Sequence, residues 1–406
     1  MKKYKIAIIV PSIENDGGVS SVAEFIYNAA YNSSKFEPFI ISLSSAAIDK
    51  LGISILNPLS WFRGIQSCNG IWRGRPYVEI GAFFSEFEFQ RYRKRRILNK
   101  FLAEFDLIQV VSGSPALANV AIGLDRPVSL QFATLTMMER RIINSQFRGL
   151  IAVWKKIMTV IVGFMERNAL KRVDAIQVEN LLMLNYVNNI NLNTNKKIDT
   201  RFATPGVNIN IFTPIPTRRL DDDLYILCVA RFGDPRKNID LLLNSYKLLP
   251  GYLSKNVRLV LAGATPPNEN FWKQSEIFGL RHQITFIDHP SLDALINLYR
   301  NASVFVLPSD EEGLGIVILE AMSCGIPVIS TRSGGPDGII NDGEDGYLVN
   351  INDERSMSSC LEKLLNNHEL NYEIGRKARL KIERFYDENK KSKDFVDVWN
   401  AIIKKF

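Results

Sequence analysis

Two short stretches of the 406-residue chain combine the residue types that hold a polyanion and a polyhydroxy compound. The first runs Ser309, Asp310, Glu311, Glu312, Gly313, Leu314, Gly315, Ile316 and on to Glu320. It follows the apolar run 304–307, which reads as a strand, and it opens a helical pattern. Glycines at Gly313 and Gly315 let backbone approach a ligand closely, and the unpaired N–H groups of the helix start favour an anion such as a diphosphate. That draws Gly313, Leu314, Gly315 and Ile316 into one anion-binding turn. Glu312 in the loop and Glu320 two helical turns later can face a single ligand, and carboxylates suit the vicinal hydroxyls of a sugar or ribose. Glutamates eight apart also arise by chance in a chain this long, so the pair gains weight only from its place and from a second cluster. That cluster is Arg231, Phe232, Gly233, Asp234, Pro235, Arg236, Lys237 and Asn238, at the end of the strand expected over 224–230. Arg231 and Lys237 bracket a Gly-Asp-Pro turn, a geometry in which two cations converge on one diphosphate. The ordinary alternative is a solvated basic loop beside surface carboxylates.

The elements that must position these residues alternate strand with helix. In the first half, strands are expected over 4–10, 38–43, 107–111, 128–132 and 175–178, with helical stretches over 86–105 and 147–172. A polar turn containing Asn15, Asp16, Gly17 and Gly18 follows the first strand. Thr204, Pro205 and Gly206, the Phe212 to Pro216 segment and the acidic run Asp221, Asp222 and Asp223 read as a linker. Beyond it, strands are expected over 224–230, 257–262, 284–287, 304–307, 327–330 and 347–349. This alternation implies two α/β domains, 1–210 and 216–385, with parallel sheets whose ligands sit outside the strands' carboxyl ends.

Composition bounds the rest. With 46% hydrophobic and 23% charged residues, the chain fills two ordinary cores, which excludes fibrous and disordered classes. Cys68, Cys228, Cys324 and Cys360 are scattered, so no disulfide framework or zinc site is expected, and all four read as buried small hydrophobes. The run Ile6 to Val10 is too short for a signal peptide, and the stretch from Leu150 to Met165 is broken by Lys155 and Lys156, so no spanning helix is expected. Residues 1–215 carry a net +10 and the remainder −3, which points the first half at an anionic partner.

The chain resembles the retaining glycosyltransferases of family 4, in the glycosyl transferases group 1. The resemblance rests on Gly17-Gly18 after the first strand, Thr204 to Asn208 with Phe212 and Pro214, Arg231 with Lys237, the Glu312 to Glu320 motif, and Gly334-Gly335 through Gly346 to Val349. It implies the GT-B fold: two Rossmann-like α/β domains facing across a cleft, with a last helix, within 386–406, crossing back to the first domain. It also implies that Gly17 and Gly18 approach the donor phosphates, Arg231 and Lys237 hold the diphosphate, Glu312 contacts the sugar and Glu320 binds the ribose. The catalytic set is then Glu312, Arg231 and Lys237. Donor binding falls to these cations, Gly17, Gly18, Gly313 to Ile316 and Glu320. The implied reaction is transfer from a nucleoside-diphosphate sugar to an acceptor hydroxyl with retention, in cell-surface polysaccharide, lipopolysaccharide or glycolipid assembly, with no protein nucleophile. Two departures stand out: Gly338 where relatives usually carry Glu, and Gln109 and Ala133 where a His is frequent.

Competing readings are a nucleotide-sugar epimerase of the same fold and a non-catalytic subunit assisting a partner. A dinucleotide oxidoreductase lacks its GxGxxG after the first strand. Asp221 to Asp223 precedes its strand and reads as a solvated turn, so neither a metal nor a cofactor beyond the sugar donor is expected. Arg91, Arg93, Lys94, Arg95, Arg96 and Lys100, with Tyr92, Ile97, Leu98, Phe101 and Leu102, read as one interfacial helix resting on an anionic membrane. That places the protein in the cytoplasm at the inner face of the membrane, with a saccharide or lipid-linked acceptor and no nucleic acid. His282, His289 and His368 all lie in the second half. Gln131 or Thr134 then faces the sugar in the first domain, and a rate profile without an inflection near pH 6.5 is expected.

Overall fold

The computed structural model describes residues 3–13, 17–44, 50–145, 147–192, 196–215 and 224–406. Asn15 and Asp16 of the first turn, and Pro216 and Asp221 to Asp223 of the linker, lie outside them. The chain divides into two compact units, Met1–Pro205 with Lys391–Phe406, and Gly206–Lys390.

The first unit is built on an eight-stranded sheet. Its strands are β1 (Tyr4–Pro11), β2 (Phe36–Leu43), β3 (Ser67–Trp72), β4 (Arg75–Ile80), β5 (Leu107–Ser112), β6 (Val128–Phe132), β7 (Ala175–Val178) and β8 (Asp199–Phe202). They lie in the order β3-β4-β2-β1-β5-β6-β7-β8, parallel except for the β3–β4 pair. Ile6 to Val10 and every residue of β5, β6 and β7 are buried, as befits central parallel strands covered on both faces. The β3–β4 hairpin was not expected. Arg73 and Gly74 both take positive φ, 48° and 75°, which closes a two-residue turn, and β3 is largely exposed, so it shows no buried-strand signature.

Helix Gly18–Asn32 follows β1. The stretch 86–105 is not one helix. It breaks into Glu88–Arg91 and Arg96–Leu102, with Arg95 extended between them. Arg95 is buried, its Nη1 donating to Ile80 O at 3.2 Å and its Nη2 to Arg91 O at 2.7 Å. Leu98 and Leu102 belong to the core, with Tyr92, Ile97 and Phe101 packed against it. The expected interfacial helix therefore does not exist, because its apolar stripe is already covered.

The second unit carries a six-stranded sheet of β9 (Tyr225–Arg231), β10 (Arg258–Thr265), β11 (Ile284–Asp288), β12 (Val304–Leu307), β13 (Val328–Thr331) and β14 (Tyr347–Val349). The order β11-β10-β9-β12-β13-β14 is parallel throughout. The chain winds outward from β9 to β11, then crosses to β12 and winds the other way. That reversal opens a crevice between the carboxyl ends of β9 and β12. The last helix, Glu388–Ile403, passes from the second unit into the first, where Trp399 is fully buried and its Nε1 donates to Gln109 Oε1 at 2.7 Å. Gln109 thus serves packing.

The thiols of Cys228 and Cys324 are buried, and burial pushes that of Cys324 up to about 12. Cys68 on β3 is exposed and Cys360 half-buried, so the reading of four buried cysteines holds for two.

Candidate functional site

The loops that leave β9 and β12 at the reversal carry both motifs. After β9 the chain turns tightly: Asp234 N donates to Arg231 O at 3.0 Å, and Asp234 caps the short 3₁₀ turn Pro235–Lys237 by accepting from Arg236 N. Asn238 then takes a left-handed conformation, φ 42°, which Asn tolerates better than most residues. Its Oδ1 caps helix Ile239–Lys247, and its Nδ2 donates to Asp310 Oδ1 at 2.7 Å in the β12 loop. Asp310 N returns a bond to Arg236 O at 2.8 Å. The two loops are stitched together, which fixes the separation of their charged groups.

Lys237 Nζ meets Glu312 Oε1 at 2.6 Å, and the same oxygen accepts from Ser309 Oγ at 2.7 Å. Glu312 is held by backbone as well, donating to Ser333 O and accepting from Gly335 N, each at 2.9 Å. Arg236 is taken by Asp234 and Glu311, so of the two arginines it has the structural role. Arg231, at the tip of β9, is exposed, and its guanidinium makes no hydrogen bond or ion pair among the described residues. A free guanidinium one loop away from a lysine that already has an anionic partner is a receptive arrangement for a diphosphate.

Gly315 takes φ 89°, a conformation that favours glycine, and is the N-cap of helix Ile316–Ser323. No side chain caps this helix and its first turn has no acidic residue; Ile318 N turns back to Gly315 O at 2.8 Å, and the N–H groups before it, with the positive dipole end, can meet a ligand. Gly335 packs so tightly on this loop that a Cβ there would lie 2.4 Å from Leu314 O. Gly335→Ala is therefore expected to displace the Gly313 to Ile316 turn and cost about 1–3 kcal/mol of stability in chemical denaturation.

Glu320, on the same helix, is half-buried, and Tyr299 Oη donates to its Oε2 at 2.7 Å. Burial pushes its carboxyl up to about 7, against which the tyrosine bond works only partly. Tyr299 is fully buried on helix Leu292–Asn301, and both burial and the adjacent carboxyl hold its hydroxyl protonated. Ser309, Asn238 and Tyr299 were not singled out as site residues in the sequence. Asn238 alone left a signal, as an N-cap type before an apolar helix.

In the first unit, Gly17 and Gly18 follow β1 at that sheet's own reversal, between β1 and β5. Gly17 is extended, so no strain requires glycine there. A Cβ on Gly18 would meet nothing within 4 Å. Gly18→Ala should leave the melting temperature unchanged, so any loss of ligand affinity it causes reads as contact with ligand. Gln131 does not face open space: its Nε2 donates to Glu179, and burial pushes the Glu179 carboxyl up to about 8. Thr134 is buried too. Neither residue offers the free polar group expected of it.

Residues 214–381 match the family model Glycosyl transferases group 1. Capsular polysaccharide biosynthesis glycosyltransferase CapM of Staphylococcus aureus is 30% identical over 190 residues, which is 46% of this chain and 48% of that protein. Sucrose-phosphate synthase from Thermosynechococcus elongatus superposes with a TM-score of 0.75 at 17% identity, covering 100% of each chain. HepE of Anabaena, solved with UDP and glucose, gives 0.70 at 14% identity over 98% of this chain and 100% of that one. The chain spans less than half the length of the curated relatives it matches. At these identities the structural likeness establishes the fold. The second unit thus matches the glycosyl transferases group 1 model over residues 214–381, and the chain has the GT-B fold of two Rossmann-like α/β units.

Proposed function

We propose that the protein is a retaining glycosyltransferase that moves a sugar from a nucleoside-diphosphate sugar to an acceptor hydroxyl, in cell-surface polysaccharide, lipopolysaccharide or glycolipid assembly. The observation that carries this reading is the Lys237–Glu312 pair beside free Arg231 and an uncapped helix N-terminus, at the crevice between β9 and β12. Breaking the anomeric C–O bond leaves growing negative charge on the departing diphosphate. Preorganised cations and N–H groups stabilise that charge more than they stabilise the ground state. Arg231 and Lys237 supply the charge, the Gly313 to Ile316 turn supplies the N–H groups, and Glu320 accepts from the ribose hydroxyls. As the diphosphate enters, Lys237 turns from Glu312 to phosphate, which frees Glu312 for the sugar hydroxyls. With no side-chain nucleophile assigned, the leaving phosphate takes the acceptor's proton on the face it departs from. No metal is required by this scheme, since the charge it must balance is met by side chains.

The capsular and sugar-phosphate enzymes among the relatives, and a neighbour that holds UDP and glucose, support a nucleotide donor and a saccharide acceptor. The excess of basic residues in the first unit supports work at the anionic inner face of the cell membrane.

UDP and GDP screened by thermal shift test the donor. A nucleotide at 100 times its Kd adds about 2.7 kcal/mol to the folded state. A clear rise in melting temperature with one of them is expected, and failure of both at millimolar concentration would remove the donor assignment. An epimerase would instead yield the epimeric sugar with no acceptor present.

A further inference from the structure

Helix Gly149–Arg172 is apolar on both sides, yet only one side is covered. Met158, Val162, Ala169 and Leu170 face the core. Along the other side run Leu150, Trp154, Ile157, Val160 and Phe164, spaced three or four apart, with exposures of 88%, 45%, 47%, 59% and 64%. A helix apolar all round is normally buried. This one cannot span a bilayer, since no helix among the described residues is long and apolar enough to cross one.

The bare face continues onto a second segment through touching rings. Trp154 packs on Phe87 with centroids 5.9 Å apart, Phe87 N bonds Phe84 O, and Phe84 packs on Trp61 at 5.9 Å. Trp61 belongs to helix Leu59–Arg63, where Leu59 and Phe62 are 79% and 92% exposed. Such a contiguous apolar surface marks an interaction site.

Against it lies a cavity of about 770 Å³ with an apolar wall that includes Ile53, Phe83 and Ile97. Five cations line the same cavity, Arg93, Lys94, Arg95, Arg96 and Lys100, and among the described residues no carboxylate does. The side chains of Lys94, Arg96 and Lys100 make no hydrogen bond or ion pair among the described residues. A cationic pocket with an apolar wall, opening beside an aromatic ledge, is complementary to a phosphate head attached to a hydrocarbon tail.

We infer that the first unit docks on an anionic bilayer, with the faces of Gly149–Arg172 and Leu59–Arg63 in the interface and a lipid phosphate in the Arg93 to Lys100 cavity. The inference gives the membrane association proposed above a surface, different from the single helix expected from sequence.

Flotation with phosphatidylglycerol and with phosphatidylcholine vesicles tests it, together with quenching of Trp61 and Trp154 by brominated lipid, assigned through Trp61→Phe and Trp154→Phe. Binding to the anionic vesicles at least tenfold tighter than to neutral ones is expected, with both tryptophans quenched. Lys94→Glu with Arg96→Glu, and separately Phe62→Ser with Leu150→Ser, should each lower binding at least tenfold without moving the melting temperature, since all four side chains are exposed. Inorganic phosphate at matched ionic strength should not displace the protein. Equal binding to both vesicle types, undiminished binding by the variants, displacement by free phosphate, or a dimer in light scattering that binds no vesicles would each overturn the inference. The thermal shift with nucleotide separates the readings: it should persist in these variants, and its absence beside intact vesicle binding would count against the donor site alone.

Discussion

Lys237→Ala is expected to lower turnover by about 10²–10³-fold, the usual cost of losing one preorganised stabiliser of transition-state charge. The geometry makes the loss larger than one cation's worth. With Lys237 gone, the Glu312 carboxylate keeps only the Ser309 hydroxyl among the described residues, and an uncompensated charge stands beside the diphosphate. Both side chains of the pair are less than a fifth exposed, at 18% and 11%, so water screens that charge poorly. Initial rates of donor hydrolysis, which need no identified acceptor, measure the effect. Arg231→Ala should weaken nucleotide affinity with little change in stability, because Arg231 holds nothing else in place. Glu312→Gln should leave nucleotide affinity near the wild-type value and lower turnover, since its proposed partner is the sugar. Equal losses of affinity in Glu312→Gln and Glu320→Gln would contradict that division of roles.

Glu320→Gln should stabilise the nucleotide-free protein at pH 8 while removing most of its nucleotide affinity. Burial holds the carboxyl up at about 7 in the folded chain, above its ordinary value of about 4.5. The folded state therefore binds this proton more tightly, so its contribution is fully present below pH 4.5 and is lost as pH rises through 7. At pH 8 the ionised group costs about 1–3 kcal/mol, which the amide does not. Ribose hydroxyls donate to the ionised form, so nucleotide should bind more tightly as pH rises through 7, releasing a proton. Calorimetric titrations from pH 6 to 8 in buffers of different ionisation heat read both affinity and proton. The inflection near 7 should vanish in Glu320→Gln and persist in His289→Ala. An inflection near 7 in nucleotide affinity would then belong to Glu320, on the second unit, and not to a histidine, none of which lies in the first half.

The strands that position the site were legible because buried parallel strands are apolar on both faces. The expectations for β6, β7, β12 and β14 agree with the structure to the residue, and the other expected strands begin or end within two or three residues, whereas the partly exposed edge strand β8 was not expected. The β3–β4 hairpin escaped because its strands are partly exposed and Arg73-Gly74 is a weaker turn signal than Asn-Gly. The break at Arg95 escaped because helical spacing continues through it, and only a guanidinium buried under Ile80 O shows that the backbone is extended there. Periodicity reports that a face is apolar and leaves open whether anything covers it. The apolar stripe of 92–102 looked exposed and packs in or on the core, whereas the outer face of Gly149–Arg172 was passed over as too short and too charged to span. Site chemistry divided likewise. The pairing of Lys237 with Glu312 was foreshadowed by two strand-end motifs, but the raised Glu320 carboxyl depends on Tyr299, a neighbour brought in by the fold.

The central claim is that the crevice between β9 and β12 holds a nucleoside diphosphate through Lys237, Arg231 and Glu320. Isothermal titration of UDP and GDP into the wild-type chain and Lys237→Ala at pH 8 tests it most directly. Saturable one-to-one binding of at least one nucleotide is expected, weakened at least tenfold in the variant. Binding of neither nucleotide at millimolar concentration, or equal affinity in Lys237→Ala, would contradict it.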